Sequence, residues 1–325
     1  MPAAALPLAC AAVAVLAVVS LLVGVSDDVT PARLLAAVVG SDDDAARLLL
    51  VSRLPRTLAV LLAGAGMAVA GMIMQILVRN RFVEPTTAGT VESAMLGVLL
   101  VTLLAPGAPL LVKMLAAAAA GLAGTALFLR VLRAVPLRSV LVVPLVGLVL
   151  GGVVGAVTTF LAYRTDLLQS LNAWTTGDFS GVVRGRYELL WVAFALTVVA
   201  YVAADRFTVA GMGEAFATNL GLAYRRVLTL GLVIVSLVSA VVVVTVGVIP
   251  FLGLVVPNVV SLMLGDDVRR TVPWVAVTGA GFVLACDLVG RLVRHPYEIP
   301  VAVVVGVVGG AVFLYLLLRG GARVG

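Results

Sequence analysis

The sequence predicts an all-α fold, a polytopic transmembrane helical bundle, and three observations carry that prediction. Hydrophobic residues make up 62% of the chain and charged residues 12%, against roughly 45–50% and about 25% in soluble domains. Apolar runs of helix-spanning length recur from one end of the chain to the other, and a bilayer core about 30 Å thick needs about 20 such residues per helix. The charges lie mostly between these runs, as topology signals do. Ten spans can be laid out, at about 4–24, 57–78, 90–105, 109–129, 140–162, 188–204, 227–248, 252–264, 273–290 and 299–318. The chain therefore reads as a single transmembrane domain over residues 1–325.

The first run, Ala3 to Val25, lacks a basic leading segment, so it reads as a span and not as a cleaved signal peptide. A long connection follows over 26–56, with Asp42, Asp43 and Asp44 and then the amphipathic stretch AARLLLVSRLPR. The second span is free of charge from Leu58 to Val78. Its Gly64, Gly66, Ala70 and Gly71 allow close helix approach. Its Met67, Met72 and Met74 either fill gaps or re-pack around an irregular cargo.

Asn80, Arg81 and Phe82 precede Pro85 in a tight reversal. The third and eighth spans are short. Glu92, one turn into the third, has no local partner, and reads either as a path-lining acid or as one wetted at the inner mouth. Asp287 lies four residues before Arg291, which suits an ion pair, with a proton relay as the other reading.

Asp205 to Arg226 forms the second long connection, where GMGEAFATNLG reads as a short amphipathic helix bracketed by glycines. Pro144 and Pro300 open similar Gly/Val-rich runs in the fifth and tenth spans, the separation an inverted repeat leaves. An even span count puts both termini on one side, and Arg319 and Arg323 after the last span favour the cytoplasm. That placement leaves 12 of 22 basic residues inside, a weak bias by count.

Several functions are disfavoured. Basic residues never cluster with interleaved aromatics, which argues against nucleic acid. Cys10 and Cys286 sit in separate apolar runs, and His295 is the sole histidine, so neither a disulfide framework nor a protein-built metal site is expected. His295 beside Arg294 reads as a solvated surface residue. The sole lysine, Lys113, follows Val112, so no phosphate-cradling G-x-x-x-x-G-K loop exists, and ATP must be hydrolysed elsewhere if it is used. No catalytic residue and no cofactor is assigned.

The run from Arg53 to Gly97, with RLPR, a Gly/Ala-rich span, a glutamine and RNRFVEP, resembles the permease family of ABC importers for iron–siderophore complexes, haem and vitamin B12. GDFSG at 177–181, GMGEAFATNLGL at 211–222, GVIPFLGLVVPN at 247–258 and the stretch from Cys286 to Arg319 resemble that family in the same order. RNRFVEP, VVPN and PYEIP depart from the commoner family forms and look like the branch importing petrobactin- or anguibactin-like siderophores.

The resemblance implies the vitamin B12 importer permease type of fold in a bacterial cell membrane. It also implies a second permease chain, identical or not, two ATPase subunits, an extracytoplasmic siderophore-binding protein, and ferric siderophore as cargo. Arg53, Arg56 and Arg291 would receive acidic residues of the binding protein, or else serve as interfacial anchors with Arg291 held by Asp287. Asn80 and Phe82 would close the cytoplasmic gate. Coupling helices over 207–224, with Gly213, Glu214 and Gly221, would meet the ATPase. Met67, Met72, Met74 and Glu92 would border the translocation path. An ion-coupled secondary carrier, or a membrane enzyme acting on a lipid-linked substrate, is the alternative, although no acid chain or His/Asp/Glu cluster supports either.

Overall fold

A computed structural model of the chain describes residues 5–23, 43–134, 142–294 and 296–321. Asp27, Asp28 and Asp42 of the first long connection, together with Arg138, His295 and Arg323, lie outside the described residues. Helix α1 covers Ala5–Leu22. Helix α2, Asp43–Leu48, runs through a π turn at Leu49–Arg53 into α3, Leu54–Val78. Then come α4 (Thr90–Leu104), α5 (Leu110–Ala134), α6 (Val142–Arg164) and the short α7 (Leu168–Thr175). Helices α8 (Leu190–Val202), α9 (Ala204–Gly211) and α10 (Glu214–Asn219) lead to α11 (Tyr224–Val246). The chain ends in α12 (Leu252–Leu264), α13 (Val268–Leu292) and α14 (Val301–Gly321).

Each of the ten sequence-predicted spans contains one of these longer helices, but not all of them have crossing length. Seven are long and apolar enough to cross a bilayer alone, and α8 joins them only if taken with α9, to which it is bent by 66°. Helices α4 and α12 fall short. The second span is longer than predicted, because helix continues back through the π turn to Ala46. The short helix expected between glycines in the second long connection is α10, and α9 precedes it; the two are broken at Gly213, whose φ of 109° admits little but glycine.

Helix α3 is the centre, packed on α13, α12, α11 and α8. Small residues make that possible. A Cβ on Gly71 would lie 2.1 Å from the carbonyl oxygen of Gly253 in α12, and one on Gly64 would lie 2.7 Å from that of Gly279 in α13. Between apolar helices in lipid, such backbone approach supplies the packing that the hydrophobic effect cannot.

The two short helices share one cause. The segment 79–89 turns back from the end of α3, so that Thr87 and Gly89 lie against Gly147 and Gly151 of α6. Residues 247–251 likewise turn back, and α12 starts beside Gly71, about 10 Å inside the end of α3 by helical rise. From these inner starting points α4 runs toward the end of the bundle bearing Arg56, and α12 toward the end bearing Arg81. Broken spans at the third and eighth positions, running oppositely, are what an inverted repeat produces.

The Gly71–Gly253 contact gives a direct test. Gly71→Ala forces a methyl into that carbonyl and should cost about 1–3 kcal/mol, read as a lowered midpoint in denaturant unfolding of the purified protein. Gly181→Ala, whose added methyl meets nothing within 4 Å, should change the midpoint by less than about 0.5 kcal/mol.

Candidate functional site

Charge gathers at the two ends of α3. At the first end, Asp287 of α13 is wholly buried. Arg56 donates from Nη2 to Asp287 Oδ1 at 2.8 Å and from Nη1 to both Glu298 oxygens, at 2.9 and 2.8 Å. Arg291 pairs with the other Asp287 oxygen and donates to the backbone carbonyls of Ser20 and Val23 and to the Ser20 hydroxyl. Arg53, last residue of the π turn, donates to the carbonyls of Leu21 and Leu22, satisfying the end of α1. Three guanidiniums and two carboxylates thus leave one net positive charge here.

All three predicted arginines meet at this end. Arg53 and Arg291 are buried, at 7% and 5% exposure, and their bonds are spent within the chain. Arg56 and Glu298, with side chains 12% and 18% exposed, form the rim. The Asp287–Arg291 pair read from the sequence is present. Arg56 and Glu298, from distant parts of the chain, complete it, and neither link has a local sequence signal.

At the second end, Asn80 Oδ1 accepts from the Phe82 amide at 2.8 Å, closing a tight turn after Arg79, whose φ is 53°. The Phe82 ring meets Phe313 of α14 edge-on at 6.1 Å, and Phe313 stacks with Phe251 at 6.3 Å. Asn258 Nδ2 donates to the Arg81 carbonyl at 2.8 Å and Gln75 Nε2 to that of Gly253 at 3.1 Å. Arg81 pairs with Asp266 at 2.6 Å. A cavity of about 460 Å³ opens between these groups and α9, with Met72, Gln75, Asn80 and Phe207 among its walls.

Gly213, at the head of α10, packs on Arg79, whose Nη1 would lie 3.1 Å from a Cβ there. Glu214 and Gly221 stand at either end of α10 on the exposed side. The α9–α10 element therefore leans directly on the last turn of α3, one residue before Asn80. Of the methionines, Met67 and Met74 fill the core around α3, while Met72 borders the cavity and takes a weak bond from Thr271 Oγ1 at 3.6 Å. Glu92, in the first turn of α4, faces Gly151, and its buried Oε2 has no hydrogen-bond partner among the described residues.

Glu84 is the residue that sequence reading passed over. It is 1% exposed, and its Oε1 accepts from the Phe251 amide at 2.9 Å and the Thr86 hydroxyl at 2.6 Å, while the carboxylate faces the amides of Gly253 and Leu254. It caps the N-terminus of α12 from 167 residues away. Phe251, at a φ of 61°, is held in a conformation that non-glycine residues rarely adopt. A local signal existed, since Glu84 and Thr87 form a reciprocal capping box.

A bundle of apolar helices around a buried central one, with two short helices starting at mid-depth and most of its charge at its ends, is a multi-pass membrane protein of the permease class. The FecCD transport family matches residues 12–319, and the chain belongs to it. It is 47% identical over 305 residues to the petrobactin import system permease protein YclN of Bacillus subtilis, covering 94% of this chain and 95% of that one. It is 43% identical to the ferric-anguibactin transport system permease protein FatD of Vibrio anguillarum, over 84% of this chain and 87% of that protein. The fold matches a solved metal-chelate type ABC transporter in an inward-facing conformation, with a TM-score of 0.80, 24% identity and 97% and 98% of the two chains covered.

The Arg56 end carries a prediction of its own. Asp287→Ala strands the buried Arg291 guanidinium, leaves Arg56 with Glu298 alone, and should destabilise the chain by about 3–5 kcal/mol, seen as a lower melting temperature in detergent. Replacing both partners, Asp287→Leu with Arg291→Met, should recover most of that loss.

Proposed function

We propose that this chain is the membrane-spanning permease of a binding-protein-dependent ABC importer that carries a ferric siderophore of the petrobactin or anguibactin class into a bacterial cell. Membership of the FecCD transport family and similarity to permeases of petrobactin and anguibactin transport systems support the cargo class. The chain's lack of a phosphate-cradling loop calls for a separate ATPase pair. A second permease chain, identical or related, would complete the path, with Glu92 of α4 and the Gly152 and Gly155 face of α6 on its wall; nothing lies within 4 Å of a Cβ at either glycine.

The observation that carries the mechanism is the seat of α10 on Arg79. An ATPase docked on α9–α10, touching Glu214, pushes on the residue that precedes Asn80 and Phe82. Movement there alters the Phe82–Phe313–Phe251 cluster, which would seal the inner gate by excluding water. In this reading the Arg56 end faces outward and both termini are cytoplasmic. An acidic residue of the binding protein would engage Arg56 there, as Arg56 and Glu298 are the rim members, with Arg53 and Arg291 holding the surface in shape.

Uptake of ferric petrobactin into vesicles containing the chain, its ATPases and its binding protein tests the reading. Glu214→Arg should leave the chain folded and binding-protein association intact while abolishing ATP-dependent uptake; normal uptake by that variant would remove α10 from the coupling path. Phe82→Ala should make the resting complex leak a small polar dye. An unchanged leak assigns Phe82 to packing alone.

A further inference from the structure

A second cavity, of about 260 Å³, opens at the Arg56 end between α4, α5, α7 and α11. Its floor is apolar, built from Met95, Val98 and Val243, and Trp174 forms one wall. Two cations converge on it: Lys113, the sole lysine of the chain, and Arg186 from the loop before α8. No carboxylate of the described residues lies within ion-pairing distance of either one. Lys113 also sits in the first turn of α5, where the positive end of the helix dipole disfavours a cation. Three sources of positive potential share one cavity without a counter-charge, and the missing partner is an anion.

The geometry points to a site for the phosphate of an anionic phospholipid, with the first part of an acyl chain against the half-buried Leu110 and Trp174. A free inorganic anion would leave those apolar side chains uncovered, whereas an amphiphile covers both surfaces. Val112, next to Lys113 on α5, and Val183, in the loop that carries Arg186, are 42% and 37% exposed, so apolar outward-facing surface adjoins both cations. Trp174, an indole with an apolar body and one donor, belongs at the headgroup level where such residues collect. Arginine adds a planar fork that meets two phosphate oxygens at once. This site lies apart from Glu84, the Asn80–Phe82 turn and α10, and does not rest on the identity of the cargo.

The test uses the full-length chain purified in detergent, with phosphatidylglycerol, phosphatidylethanolamine and inorganic phosphate as probes. Native mass spectrometry of Lys113→Gln/Arg186→Gln should show phosphatidylglycerol binding weakened about tenfold or more, with phosphatidylethanolamine binding unchanged. Arg184→Gln, an exposed neighbour that does not line the cavity, should bind like the parent. In a Trp191→Phe/Trp274→Phe background, phosphatidylglycerol brominated on its acyl chains should quench Trp174 in the parent and not in the double variant. Excess inorganic phosphate should leave that quenching in place. Equal phosphatidylglycerol binding by parent and double variant, with both melting normally, overturns the proposal, as does release of the lipid by inorganic phosphate, which would make the site one for free anions.

Discussion

The carboxylate of Glu84 meets the N-terminus of α12 in the interior of the bundle, and the architecture depends on that contact. A helix that starts at mid-depth presents unpaired amides where lipid offers no hydrogen bond, at several kcal/mol for each unsatisfied group. Glu84 supplies an acceptor to the Phe251 amide at that helix end. Gln75 serves the first carbonyls of α12, and Asn258 takes the carbonyl of Arg81. With both irregular segments satisfied by each other's side chains, α4 and α12 can begin inside the protein.

That arrangement couples the parts of the chain that a transporter would need to move together. The segment 79–89 is tied to α12 by Glu84 and Asn258, to α6 through Thr87 and Gly89, and to α10 through Arg79. The left-handed Phe251 sits where these ties meet. Non-glycine residues in that region cost of order 1–3 kcal/mol and persist only where surroundings hold them; here the Glu84 bond and the ring of Phe313 do so. The opposite end is built on a different principle. Its five charged side chains are bonded to one another and to the C-terminal carbonyls of α1, so positive charge is fixed at the rim while the arginines stay in place.

The order of the spans, the short third and eighth members and the Asp287–Arg291 pair were all legible in the sequence. Apolar length and i, i+4 spacing are local properties, and they report directly on helices in lipid. The five segments that resemble the family are legible for a related reason, since each holds a turn, a break or a helix end whose residue types are restricted by backbone geometry. Where the residues admitted two roles, the sequence left the choice to the packing. Arg53 lies at the mouth of a span, where docking residue and anchor look alike, and α1 folds back to present it with two carbonyls. Met67 and Met74 suit gap-filling or a path wall equally by type, and α3 is enclosed by four other helices.

What the sequence alone determined is the class: a chain this apolar must fold as helices in a membrane, because only helices satisfy their own backbone there and the composition leaves too little charge for water. Tertiary structure decided which polar groups are spent and which remain available. Glu84 reached Phe251 across 167 residues, Arg56 reached Glu298 across 242, and Lys113 met Arg186 over an apolar floor. No period or motif encodes such pairings. They arise when packing around small residues such as Gly71 and Gly253 brings distant segments to one depth, and in a low-dielectric interior a polar group then has to take whatever partner the packing presents.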